Sequence, residues 1–127
     1  MTRTALNPRS VPSSPFYSQG IEVRGKDRLV FVSGQVGVTS DGQVPEGVEA
    51  QGRQAISNLN AVLASAGLTP EDLVKLTIYL TDPADVEPFV GVAAGTLTDV
   101  PPATTMLMVS GLASPELRVE IEAVAAG

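Results

Sequence analysis

The stretch Val48–Ala66 constrains the chain most, because only a helix lets its apolar and small residues meet. Val48, Gly52, Ala55, Ile56, Leu59, Val62, Leu63 and Ala66 recur with the 3.6-residue period of one helical face. Gly67 follows at the place where a left-handed residue ends a helix. A helix with one apolar stripe needs a second layer to cover it, and the flanking segments read as strands. Ile21 and Val23 alternate with Glu22 and Arg24, and Val74, Leu76, Ile78 and Leu80 alternate with Lys75, Thr77 and Tyr79. Leu29–Val32 is a continuous apolar run that predicts a strand buried on both faces.

Local signals divide the rest of the chain. Residues 1–15 are rich in Ser and Pro and predict an extended lead-in with a short edge strand at Thr2–Leu6. Gly25-Lys26-Asp27 supplies a turn, and Asp41-Gly42 between Val38 and Val44 predicts a hairpin turn. Thr69-Pro70-Glu71-Asp72 offers an N-cap, a first-turn Pro and first-turn acids. Asp82-Pro83-Ala84-Asp85 repeats that logic and opens a second helix carrying Val86, Phe89, Val90, Ala93 and Leu97. Gly91 and Gly95 each weaken it by about 1 kcal/mol relative to Ala. Pro101-Pro102 then precedes two apolar runs, Met106–Val109 and Leu117–Val124, joined by Ser110-Gly111-Leu112-Ala113-Ser114-Pro115. Strands, long helix, strand, helix, strands make an α+β layer fold, read as a single domain over 1–127. In the strand at Thr105–Val109, residues Thr105, Leu107 and Val109 point one way and Met106 and Met108 the other. Both faces are therefore partly apolar, and one layer of helices covers only one of them. The second face predicts oligomerisation through the sheet.

Composition excludes several functional classes. With no Cys and no His, the chain has no thiolate nucleophile, no cysteine metal site and no His-based triad. No metal and no cofactor is expected. A net charge of −6, eight scattered basic residues and 4% aromatic residues weigh against nucleic acid as a partner. No apolar run is long enough to span a membrane, and the first eight residues lack the apolar core of a secretory signal, so a cytoplasmic location is expected.

Several stretches in register resemble the Rid family, also called YjgF or L-PSP-like. They are Pro15-Phe16-Tyr17-Ser18-Gln19-Gly20, Val32-Ser33-Gly34-Gln35-Val36, Glu49-Ala50-Gln51-Gly52-Arg53-Gln54-Ala55, Leu59, Ala66-Gly67, Asp72 through Leu80, Pro102-Ala103 and Val119 through Ala125. The resemblance implies a chorismate-mutase-like α+β protomer, with a six-stranded, mostly antiparallel sheet and two helices on one face. It implies a homotrimer whose sheets form an inner barrel, with small-molecule clefts between neighbouring subunits. Active members hydrolyse enamines and imines such as 2-aminoacrylate to 2-keto acids and ammonia.

In those enzymes an Arg after the Pro-Ala of the penultimate strand clamps the substrate carboxylate through paired charge-assisted hydrogen bonds. Here that position is Thr104, which has one hydroxyl and no charge. Position 106, often Cys in the family, is Met, and the stretch between Thr81 and Pro101 is short for an active member. By the same resemblance Tyr17 is an aromatic lining the cleft, although Phe16 interrupts the usual Gly-Pro-Tyr spacing. Ser33 and Gly34 face the ligand with their backbone, and Glu120 positions a catalytic water. Each residue also has a plainer reading. Glu120 pairs with Arg118 on the same strand, Glu122 and Arg53 are surface groups, Tyr17 packs, and Thr104 is merely β-favouring.

The expectation is a divergent Rid-type trimer that binds or hydrolyses a metabolite other than the usual 2-imino acids. If catalytic, it is a hydrolase of the enamine/imine deaminase type. The deaminase activity itself is the alternative, and the endoribonuclease or translation-inhibitor activity is a second, disfavoured by the absent His and the acidic balance.

Overall fold

The computed structural model describes residues 2–96, 98 and 100–127. Six strands and two α-helices run in the order β1 (Thr2–Leu6), β2 (Gly20–Arg24), β3 (Leu29–Val36), α1 (Val48–Ser65), β4 (Leu73–Leu80), α2 (Val86–Ala94), β5 (Ala103–Met108) and β6 (Val119–Ala126). The predicted position Leu97 lies outside the described residues.

The strands do not form one continuous six-stranded sheet. β3, β6, β4 and β5 form a four-stranded sheet in that order, and β1 and β2 pair as a separate antiparallel ribbon. Within the sheet β6 is antiparallel to both neighbours and β5 is parallel to β4. A parallel partner needs a crossover, and α2 supplies it between β4 and β5. Ser18 bridges Ala103 at the start of β5, so the chain from Ser18 to Leu29 links one sheet edge to the other.

The helix ends follow their local chemistry. At the end of α1 the Gly67 amide donates to the Ala64 carbonyl and the Leu68 amide donates to that of Leu63. Gly67 has φ of 74°, and the paired bonds are those of a Schellman cap. Before β4, Thr69 and Asp72 form a reciprocal capping box around a 3₁₀ turn, and Asp82 Oδ1 accepts from the Ala84 amide ahead of α2. The Asp41-Gly42 turn exists, closed by hydrogen bonds between Thr39 and Gly42 and between Thr39 and Gln43, but β3 ends at Val36 and no strand flanks it.

The core lies between the helices and the sheet. Ala55, Leu59 and Leu63 of α1 and Phe89 of α2 pack on Ile78 and Leu80 of β4 and on Val119, Ile121, Ala123 and Ala125 of β6. Alternation sends the other residues of these strands to the far face. There Leu29 is 61% exposed and Phe31 is 74% exposed, so β3 is not buried on both faces as its apolar run predicts. Leu107 is exposed on β5, while Met106 is half-buried against the core, as the opposed pattern in that strand predicts. No described helix is long and apolar enough to cross a membrane.

Candidate functional site

The predicted site residues fall into two groups on opposite faces of the sheet. Thr104 and Tyr17 line a cavity of about 280 Å³ between the two helices and the sheet. Tyr17 is held there by its neighbour. Ser18 is 2% exposed, its amide donates to the Pro102 carbonyl at 3.1 Å, and its hydroxyl donates to that of Pro101 at 2.6 Å. The Pro101-Pro102-Ala103 segment therefore fixes both Thr104 and Tyr17. The Thr104 hydroxyl donates to the Pro102 carbonyl at 3.1 Å, which directs its oxygen lone pairs away from that bond.

Ser33, Gly34 and Glu120 make the second group. Val119 and Ile121 are buried beneath the helices, so Glu120 and Glu122 project from the opposite face. The β3–β6 register shifts between Val32 and Gln35, leaving Ser33-Gly34 in a bulge. The Glu120 side chain fills the space beside Gly34 that a Cβ would take. The close approach that the Gly implies is thus met by a carboxylate of the same chain.

Thr104 lies opposite Leu76 and Glu120 opposite Tyr79, two strands and three residues apart. Strand geometry puts their backbones about 14 Å from one another, with their side chains on opposite faces. One protomer therefore does not bring Thr104 and Glu120 into a common cleft.

Other polar groups near these residues were not legible from motifs. The Tyr79 hydroxyl donates to Glu122 Oε1. That bond, with burial and the nearby charges of Glu122 and Glu120, holds the phenol above its ordinary pKa. Arg118 neither pairs with Glu120 nor reaches the cavity. Its Nε and Nη2 donate to the two oxygens of Asp85, each at 2.8 Å, and the pair keeps the guanidinium pKa raised. Gln51 is a buried polar residue on the apolar stripe of α1. It donates to the carbonyls of Pro45 and Glu116 and accepts from the Arg118 amide. Its place among Val48, Gly52 and Ala55 was the available signal. Among the described residues no group of His, Cys, Asp and Glu is placed to hold a metal ion.

Two helices on one face of a mixed sheet, a ribbon at its edge and a carboxylate over a glycine bulge describe the protomer of an L-PSP-type protein. The chain belongs to that family, described as Endoribonuclease L-PSP, which matches residues 9–127. Similar to it in structure is a Rid-family protein, YyfB, from Yersinia pestis, with a TM-score of 0.89 and 34% identity over the whole of both chains. A 2-iminobutanoate/2-iminopropanoate deaminase of Mus musculus is 38% identical over 111 residues, 86% of this chain and 79% of that one. A RutC family protein of Aquifex aeolicus is 45% identical over 73 residues, 57% of this chain and 55% of its own length.

Proposed function

We propose that the protein is a divergent Rid-type homotrimer whose small-molecule clefts lie between subunits and take a ligand without a strongly held carboxylate. The observation that carries this reading is the wall around Thr104. Among the described residues, no Lys or Arg lines its cavity. A carboxylate drawn in there would lose its hydration without gaining a cationic partner, which is costly. Thr104 in the place of the family's clamping Arg accounts for that absence.

The division of the site supports the assembly. Thr104 and Tyr17 stand by edge strand β5, while Ser33 and Gly34 belong to the opposite edge, β3, with Glu120 beside them. A cleft using both groups joins the β5 edge of one copy to the β3 edge of the next. Head-to-tail contacts of that kind close into a ring when the rotation from copy to copy completes a full turn. Exposed Leu29, Phe31 and Leu107 offer the apolar surface for it. In such a cleft Glu120 orients a water against a C=N carbon, and the carbinolamine formed collapses to a carbonyl and ammonia.

The test generates 2-aminoacrylate in situ and times 2-keto acid release with and without protein. The wild type is expected to give no acceleration, and Thr104→Arg to introduce it. Wild-type acceleration that survives Thr104→Ala and disappears in Glu120→Ala overturns the reading in favour of the deaminase activity that the mouse relative is named for. A monomer-sized species in sedimentation removes the inter-subunit cleft.

A further inference from the structure

We infer that the cavity behind Thr104 is a binding site for an uncharged ligand with a hydrocarbon body and one hydrogen-bonding end. The inference deepens the reading above and rests on it for the cleft's entrance, but the cavity itself belongs to one chain.

Size is the first argument. The cavity holds about 280 Å³. An engineered apolar cavity of roughly 150 Å³ stays dry and admits benzene, so this space suits a ligand of roughly eight to twelve heavy atoms. Its walls are the side chains of Leu59, Leu76, Ile78, Phe89, Met106 and Ile121, drawn from both helices and three strands of the sheet.

Charge is the second. Among the described residues, neither an acid nor a base lines the cavity, so an ammonium is as poorly served as a carboxylate.

The polar groups supply the third argument. Thr96, Thr98 and Thr104 each spend their hydroxyl proton on a backbone carbonyl, that of Ala93, Val100 and Pro102 respectively. Their oxygens face a ligand as acceptors. The Asn60 amide and the Tyr17 ring line the same cavity, and among the described residues neither side chain has a hydrogen-bond partner. Asn60 can both accept and donate, as a primary amide on the ligand would require. A few convergent polar groups in an apolar pocket are the usual make-up of a small-molecule site.

The experiment titrates the full-length protein with pentanamide through dodecanamide and with the matching carboxylates at neutral pH, by calorimetry or saturation-transfer NMR. Amide affinity is expected to rise with chain length and stop rising near the filling length. Each amide should bind at least tenfold more tightly than its carboxylate. Ala93→Leu, which narrows the cavity, should weaken the best amide more than tenfold while circular dichroism and sedimentation stay unchanged. Asn60→Leu should weaken the amides at least fivefold and leave benzene binding intact. No saturation by any amide, carboxylates binding as tightly as amides, or full affinity in Ala93→Leu overturns the proposal. Amide binding by a monomeric protein would remove the trimer reading alone. A trimer that Thr104→Arg turns into a deaminase, yet that binds no amide, would remove this inference alone.

Discussion

The Glu120 side chain rests against Gly34 so closely that a methyl group at position 34 would fall inside its van der Waals envelope. Gly34→Ala must therefore push the carboxylate aside. Because Glu120 is only half-buried and can rotate, the expected cost is about 1–2 kcal/mol in urea unfolding. With Glu120→Ala in place the same substitution should cost below about 0.5 kcal/mol, since the obstruction is gone. Additive losses in the double variant would show that the two positions do not compete for one space.

Asp85 and Arg118 are joined by two parallel hydrogen bonds, yet they are not equally buried. The Asp85 side chain is 7% exposed and that of Arg118 is 41% exposed. Arg118→Ala strands a carboxylate in the protein and should cost about 3 kcal/mol. Asp85→Ala releases a guanidinium that water can reach, and should cost about 1–2 kcal/mol. Equal losses in chemical denaturation would contradict the asymmetry.

Much of this fold was readable because its strongest signals are local. The period of α1, Gly67 after it and the alternation in β4 are each set within a few residues, and the structure returns them almost unchanged. Signals that depend on distant partners were not readable. Arg118 lies 33 residues from Asp85, and in the strand predicted over Leu117–Val124 the nearer Glu120 is the obvious acid. Leu29–Val32 reads as doubly buried because four apolar residues do not say whether the second face meets a helix or stays open. The separation of Thr104 from Glu120 follows from the strand order β3-β6-β4-β5, which no single segment encodes. Family resemblance places both residues at a cleft between subunits, and the topology shows which of them one copy cannot bring together.

Tyr79 carries a prediction about alkaline pH. Its hydrogen bond to Glu122, then its burial and the neighbouring carboxylates, raise its folded pKa above the ordinary value near 10. A group whose folded pKa is raised contributes stability that is fully present below the unfolded pKa and is lost as pH rises through the folded one. Stability should therefore decline above about pH 10, and more steeply in the wild type than in Tyr79→Phe. Glu122→Gln should shift the tyrosinate absorbance transition to lower pH. A transition unmoved by Glu122→Gln would mean that the carboxylate does not govern this phenol.

Gln51 ties α1 to two loops at once, through Pro45 on one side and Glu116 and Arg118 on the other. Gln51→Leu keeps the bulk but leaves two carbonyls and one amide without their partner. Some of these groups will find water, so the expected loss is about 2–4 kcal/mol rather than the sum of three full penalties. A measured loss below about 1 kcal/mol would mean that the loops hold their positions without the carboxamide.

Phe31 decides what the open face of the sheet is for. It is 74% exposed on edge strand β3, where a large aromatic ring has little to pack against within one chain. Phe31→Glu should change the stability of an isolated protomer by about 0.5 kcal/mol or less, as expected for an exposed site. If the face is buried between copies, the same change puts a carboxylate into an apolar contact and should move the sedimenting species from trimer to monomer. The two measurements separate the roles. A protein that remains trimeric with Phe31→Glu would place its subunit contacts away from this face, and the edge-to-edge cleft between Thr104 and Glu120 would lose its geometric basis.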